Sequence, residues 1–149
     1  NGYTVAWATD VSEIGFSREG IAIIPDLESV ENAGSDQAHW LGLTPGERAN
    51  EVRSKLGREI LKEKKITQEE RQIAYDNYET TDDHGMQIFG VAKDKEGNKF
   101  YMVKNSWGET GPYNGFWYVS EAFVRYKTMN ITINKDSLPK AIAAKLEIN

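Results

Sequence analysis

Two apolar segments on either side of a short polar turn most constrain what this chain can fold into. Residues 86–92 and 99–103 are mostly apolar, and the segment 94–98 between them is polar and contains a glycine. This pattern predicts a β-hairpin. Three further segments alternate large with small or apolar with polar side chains and predict strands: 3–9, 115–119 and 128–133.

Two short helices are predicted between the first strand and the hairpin. Thr44 with Glu47, and Thr67 with Glu70, have the spacing of a capping box. In that motif the hydroxyl and the carboxylate each satisfy a backbone N–H at the start of the helix. Pro45 also suits the first helical position, where no backbone donor is needed.

The side chains that these helices bury are predicted from their spacing. Val52, Leu56 and Ile60 recur every four residues and should form one apolar stripe on a charged helix. A last helix is predicted after Ser137, with Pro139 in its first turn and with Ile142 and Leu146 facing inward.

The order of the predicted elements indicates the fold class. A strand, then helices, then several strands are typical of an α+β domain with an antiparallel sheet. Residues 21–43 mix apolar side chains with proline, glycine and asparagine, and they predict a long irregular segment.

Composition excludes several classes of function. The chain has 149 residues, a net charge of −5 and no cysteine. No basic cluster is dense enough for a nucleic-acid surface, and no apolar run approaches the roughly 18 residues of a membrane span. Without cysteine there is neither a disulfide nor a thiolate metal site. The chain starts at Asn1 rather than at methionine, so its start indicates no cellular compartment.

One of the two histidines lies in a setting that favours chemistry. His84 stands where a predicted strand begins, and Asn105 lies across the hairpin. With the turn centred between residues 94 and 95, the two face each other. With the turn centred on Glu96 they are offset by three residues, roughly 10 Å at ~3.4 Å each, and a bulge or a loop must close the gap. His39, beside Trp40, is predicted to be structural.

Two other types of site are disfavoured. Asp82, Asp83 and His84 could suggest a metal site, but adjacent residues of a strand point to opposite faces. A serine hydrolase is not indicated either, because the chain has no Gly-x-Ser-x-Gly turn. Ser106 has no base beside it in the sequence.

Two motifs in order carry a resemblance to papain-like cysteine peptidases. Asp83-His84-Gly85-Met86 resembles their histidine motif, and Asn105-Ser106-Trp107-Gly108 resembles their asparagine motif. Gly111 and the pair Gly115-Phe116 follow, as in that family. The segments 5–11 and 70–76 look like the bleomycin hydrolase and aminopeptidase C branch.

The resemblance implies a fold and a domain organisation. Residues 1–149 would be the C-terminal half of such a peptidase, an antiparallel half-barrel sheet of the right-hand domain. Residues 21–80 would form an irregular and helical insertion before the histidine strand. The N-terminal half, which carries the cysteine and an oxyanion-hole glutamine in this family, would be absent.

The resemblance also implies an activity and roles for residues. The parent protein would hydrolyse peptide bonds with a thiol, with His84 and Asn105 as the catalytic residues that this chain contributes. Trp107 would shield their hydrogen bond from water, while Asp83 and Gly85 would line the substrate groove. No cofactor and no metal are implied.

The implied partners are a peptide substrate and the missing half, with neither nucleic acid nor membrane. A homo-hexamer and a cytoplasmic location are implied by the branch alone.

Departures from the family pattern leave alternatives open. Without a cysteine, the chain alone is expected to be inactive. Phe116 replaces the more usual tyrosine, and Gly111 lies one residue nearer the tryptophan than expected. In the branch a longer C-terminal tail selects free amino termini, whereas this chain stops at Asn149, so aminopeptidase and endopeptidase action both stay open. The alternative to an enzyme is a non-catalytic peptide-binding module with the same fold.

Overall fold

The computed structural model describes residues 2–27, 36–56, 58 and 61–148. The strands in these ranges are β1 (Val5–Thr9), β2 (Ile21–Ala22), β3 (His84–Lys93), β4 (Lys99–Lys104), β5 (Phe116–Ser120) and β6 (Thr128–Ile133). The α-helices are α1 (Asp36–Gly42), α2 (Pro45–Lys55), α3 (Gln68–Asp76), α4 (Glu121–Lys127) and α5 (Lys140–Lys145), and a 3₁₀ turn covers Lys135–Ser137. None of the helices in these ranges is long and apolar enough to cross a bilayer.

The six strands form one open sheet in the order β2-β5-β4-β3-β1-β6. Every neighbouring pair is antiparallel except β2 and β5, which run parallel. The predicted α+β class with an antiparallel sheet is confirmed. The parallel pair was not predicted, because β2 has only two residues and no visible alternation.

Alternation along the strands places the core on one face of the sheet. Trp7 on β1 is 1% exposed and packs edge-on against Phe123 of α4, with ring centroids 6.4 Å apart. Val103 and Trp117 on the central strands belong to the same buried cluster. Burying side chains of this size stabilises the fold by about 1.5–3 kcal/mol each.

Both predicted capping boxes are present. The Thr44 and Thr67 hydroxyls accept from the backbone N–H three residues later, and Glu47 and Glu70 accept from the threonine N–H at 2.8 and 2.9 Å.

The apolar stripe behind the first cap is confirmed in part. Val52 and Leu56 are 5% and 3% exposed, although the helix ends at Lys55. Ile60 lies outside the described residues.

Two predictions about irregular and terminal segments were wrong. Residues 21–43 are not irregular throughout, because they contain β2 and α1. The last helix buries none of its residues, and Ile142 and Leu146 are 46% and 60% exposed rather than facing inward. This helix has only six residues and no side-chain cap at Pro139, so an apolar spacing alone was too weak to predict burial.

Candidate active site

The first residue of β3 carries the imidazole of the site. His84 pairs with Thr9 of β1, and its half-buried ring points toward the end of β4. The His84 Nε2 lies 2.8 Å from the Asn105 Oδ1. Because the amide oxygen can only accept, Nε2 carries the proton in this contact and Nδ1 is the other ring nitrogen.

A bulge in β3 brings these two residues together. Lys93 pairs with Lys99, so the turn is centred on Glu96, and without a bulge the offset would be three residues. The register shifts between Ile88 and Gly90, beyond which Gln87 pairs with Lys104. The shift of one residue shortens the offset to two, and the side chains span the remainder. Of the two alternatives from the sequence, the turn at Glu96 with a compensating bulge is the correct one.

Backbone contacts hold Asn105 in place after the end of β4. Its N–H donates to the Gly115 carbonyl at 3.1 Å, and its Oδ1 also accepts from the Ser106 N–H at 2.7 Å. Gly115 has φ +81°, and a Cβ there would lie 2.0 Å from the Gly108 carbonyl oxygen. Only glycine fits such a position without displacing the loop.

The Asn105 side chain is buried with one group unsatisfied. The residue is 3% exposed, and its Nδ2 has no hydrogen-bond partner in the described part of the chain. A buried N–H without a partner costs about 1–3 kcal/mol, so the acceptor contacts of Oδ1 are made at the expense of the amide nitrogen.

Trp107 packs against the imidazole. Its ring centroid lies 5.0 Å from that of His84, 5.6 Å from Trp117 and 6.0 Å from Phe16. The latter two contacts are edge-on and hold the indole in place, while 43% of Trp107 stays exposed. The side chain therefore packs and can shield the imidazole at once.

The two residues that flank His84 are placed differently from each other. The Asp83 Oδ1 accepts from the Val11 N–H at 3.0 Å, which ties the loop before β3 to the loop after β1. Gly85 lines a pocket of about 430 Å³ together with Ala6 and Ala8. A Cβ at Gly85 would meet nothing within 4 Å, so this part of the sheet is open.

Sequence reasoning missed a buried charged cluster beside residues 79–83, the segment that precedes His84. Asp10 and Lys127 are each 1% exposed. Burial raises the pKa of the Asp10 carboxyl, but hydrogen bonds from Ser12 and Thr81 together with the Lys127 ammonium outweigh it and hold this pKa below its ordinary value. Nothing in the local sequence distinguishes a buried Lys or Asp from an exposed one. The Asp10 position just after a strand was the only available signal.

The other candidate residues lie apart from this site. His39 is on α1, and its exposed imidazole pairs with Glu51 of α2 at 3.1 Å. No three His, Asp or Glu side chains of the described ranges form a group that could hold a metal ion.

In this open α+β sheet, β3 brings an imidazole to a buried asparagine beside a tryptophan. That arrangement is typical of the papain-like peptidase class. The chain belongs to the Peptidase C1-like family, whose model matches residues 53–149.

The fold is also that of a solved relative. The chain is similar to the crystal structure of PepW from Lactobacillus rhamnosis HN001 (DR20), with a TM-score of 0.56 and 18% sequence identity. The match covers 97% of this chain and 26% of the PepW chain. No curated protein matches the chain.

Proposed function

We propose that this chain supplies the histidine and asparagine of a Cys-His-Asn site in a cysteine peptidase. The observation that carries the proposal is the 2.8 Å contact between the His84 Nε2 and the Asn105 Oδ1. A buried amide oxygen that accepts from one ring nitrogen fixes the tautomer and the orientation of the imidazole. It leaves Nδ1 as the nitrogen that would face a thiol.

The chemistry of the site would run in two stages. A thiol transfers its proton to the His84 Nδ1, and the resulting thiolate and imidazolium stabilise each other. The thiolate attacks the peptide carbonyl carbon, and His84 returns the proton to the departing amine as the C–N bond breaks. The same imidazole then takes a proton from water, whose oxygen bonds to the carbonyl carbon of the thioester. The C–S bond breaks, the carboxylic acid product leaves, and the imidazolium returns the proton to the sulfur.

The nucleophile would come from outside these residues. The 149 residues contain no cysteine. The match to PepW covers only 26% of that chain, which leaves room for a further half in a longer protein. Asp83 and Gly85 would then border the substrate groove, with the pocket beside Gly85 open to a peptide side chain.

Trp107 would lower the polarity around the hydrogen bond of His84. Its indole packs 5.0 Å from the imidazole. A hydrogen bond shielded from water is electrostatically stronger than an exposed one. The bleomycin hydrolase and aminopeptidase C branch is part of this proposal and rests on the segments 5–11 and 70–76.

The decisive experiment adds a polypeptide carrying the cysteine half of the parent protein to this chain. Hydrolysis of aminoacyl and internally quenched peptide substrates is measured with each component alone and with both. We expect turnover only for the mixture, lost on His84→Ala and kept on His39→Ala, since His39 is an exposed histidine on another element. Aminoacyl and blocked substrates separate aminopeptidase from endopeptidase action.

Two outcomes would contradict the proposal. Turnover by the chain alone that disappears on His84→Ala would show that no external thiol is needed. Turnover of the mixture that survives His84→Ala would remove the histidine from the chemistry.

A non-catalytic peptide-binding module is the second candidate. The absence of cysteine and the open pocket beside Gly85 favour it. It predicts that peptides bind with unchanged affinity when His84 is replaced by glutamine, and that no mixture is active.

A further inference from the structure

The position of His84 depends on a segment that has no regular structure of its own. Residues 79–83, which lead into β3, belong to neither a helix nor a strand. Backbone hydrogen bonds from the Thr80 N–H to the Ala74 carbonyl at 2.9 Å and from the Asp83 N–H to the Thr9 carbonyl at 3.4 Å attach this segment to the fold. Three contacts that involve side chains add to them near the histidine. The Lys127 Nζ donates to the Glu79 carbonyl at 2.9 Å, the Asp10 Oδ2 accepts from the Thr81 N–H at 3.0 Å, and Asp83 holds the backbone of the loop after β1.

The Lys127 ammonium takes part in two of these contacts: it donates to the Glu79 carbonyl, and it pairs with the Asp10 carboxylate that accepts from the Thr81 N–H. It lies 2.6 Å from the Glu13 Oε1 and 3.7 Å from the Asp10 Oδ2, and the residue is 1% exposed. It thus links the last residue of α4, the loop after β1 and the segment before His84. Its remaining side faces the Tyr126 ring at 4.6 Å.

The cluster contains two carboxylates and one ammonium. Removing the ammonium leaves the Asp10 and Glu13 charges without their cation, and it frees the Glu79 carbonyl. Burying charges is costly, and well-packed apolar side chains often stabilise a core as well or better. A buried ion pair thus adds little net stability over an apolar pair, whereas its directed contacts impose a geometry that apolar side chains would not.

Resting on the proposed function, we propose that Lys127 is a positioning residue for His84. Its ammonium, acting with Asp10, fixes the segment 79–83 and thereby sets the angle at which the imidazole meets Asn105. Lys127 does not touch the imidazole and acts only through this backbone.

The chain offers a matched control in Arg71. Its guanidinium donates to two backbone carbonyls at the C-terminal end of α4, those of Arg125 at 3.1 Å and Thr128 at 2.8 Å. These two side-chain contacts do not reach residues 79–83. Arg71 lies on α3, so Arg71→Met removes a cation and its carbonyl contacts to the end of α4 without freeing residues 79–83.

The test uses the 149-residue chain and needs no cleavage. Nitrogen-15 NMR gives the tautomer of His84, and proton exchange gives the lifetime of its Nε2–H. In Lys127→Met we expect this proton to exchange about tenfold faster and the ring signals to become a mixture of tautomers. Arg71→Met should leave both unchanged. Asp10→Asn keeps the size of the side chain and one of its two oxygens. It provides the same test if Lys127→Met does not fold, and we expect an effect between those of Arg71→Met and Lys127→Met.

The inference is overturned if His84 keeps one tautomer and its exchange rate in Lys127→Met or in Asp10→Asn. It is also overturned if Arg71→Met changes these signals as much, since the effect would then be a general loss of stability. In the complemented enzyme Lys127→Met should lower kcat with little change in KM. An inactive complemented enzyme would overturn the peptidase proposal, while the NMR result would still decide the role of Lys127.

Discussion

Replacing Asn105 with alanine should separate the orientation of the histidine from the stability of the fold. The substitution removes both hydrogen bonds that the Oδ1 accepts, from His84 at 2.8 Å and from Ser106 at 2.7 Å. It also removes the buried Nδ2, which has no partner among the described residues. These two consequences act on the free energy of unfolding in opposite directions.

The magnitudes nearly cancel. Two accepted hydrogen bonds contribute about 1 kcal/mol each, and deleting the unpartnered donor restores about 1–3 kcal/mol. The small cavity left by the missing amide adds a cost of about 1 kcal/mol. We therefore expect Asn105→Ala to lower the free energy of unfolding by no more than about 2 kcal/mol, while the His84 ring loses its acceptor.

Ser120 provides the comparison because its buried hydroxyl is fully used. It accepts from the Phe123 N–H at 3.1 Å at the start of α4 and donates to the Glu63 carboxylate. Ser120→Ala deletes fewer atoms than Asn105→Ala, yet it should cost more, since losing a helix cap alone costs about 0.5–2 kcal/mol and Glu63 also loses a donor.

Urea unfolding at pH 7 measures both variants, and NMR follows the His84 Nε2–H in the first. A loss of stability above about 2.5 kcal/mol in Asn105→Ala would show that the amide nitrogen is satisfied in solution. A His84 Nε2–H signal that persists in Asn105→Ala would show that the amide does not orient the ring. Either result would refute the reasoning.

Three further outcomes are expected from other parts of the chain. Burial raises the pKa of the Glu63 carboxyl above its ordinary value, so native stability falls as pH rises from the unfolded-state pKa through the folded-state pKa. Compared with the unsubstituted chain, Glu63→Gln should therefore raise the urea midpoint more at pH 7 than at pH 4. A midpoint lowered equally at both pH values would contradict this. Gly115→Ala should lower the free energy of unfolding by more than about 2 kcal/mol because of its positive φ and the clash with the loop. Gly46→Ala in α2, where a Cβ meets nothing within 4 Å, should raise it by up to about 1 kcal/mol. Equal effects of the two variants in urea unfolding would contradict the argument. Phe89 and Phe116 form an exposed aromatic contact with ring centroids 5.3 Å apart, and this apolar surface should drive self-association of the isolated chain. Light scattering should show oligomers that Phe89→Ser weakens. A strictly monomeric chain would refute this.

Local patterns predicted the elements that depend on neighbouring residues. The capping boxes at Thr44 and Thr67 need only residues three positions apart, so the sequence was sufficient for them. The strands were visible because one face of the sheet is buried and alternation follows from that. The same reasoning gave the α+β class.

Features that depend on distant parts of the chain were not predictable. The bulge near Phe89 shifts the register by one residue, and no local pattern marks it. The pairing of β2 with β5 joins residues almost 100 positions apart, as in Ile21 with Tyr118. The burial of Lys127 depends on three segments that meet only in the fold. The contact between His84 and Asn105 was allowed by the sequence but required this bulge, so its geometry could not have been fixed beforehand.

Under the proposed function, the arrangement of the site would keep the imidazole ordered before a thiol is present. Every described group that fixes the His84 ring lies within this chain: the hairpin sets the distance to Asn105, and Trp107 covers the ring. A thiol brought by another region would meet an imidazole whose proton is already directed to one nitrogen, so docking would complete the site without rebuilding it. Pre-ordering of this kind reduces the conformational cost of assembling the reacting groups.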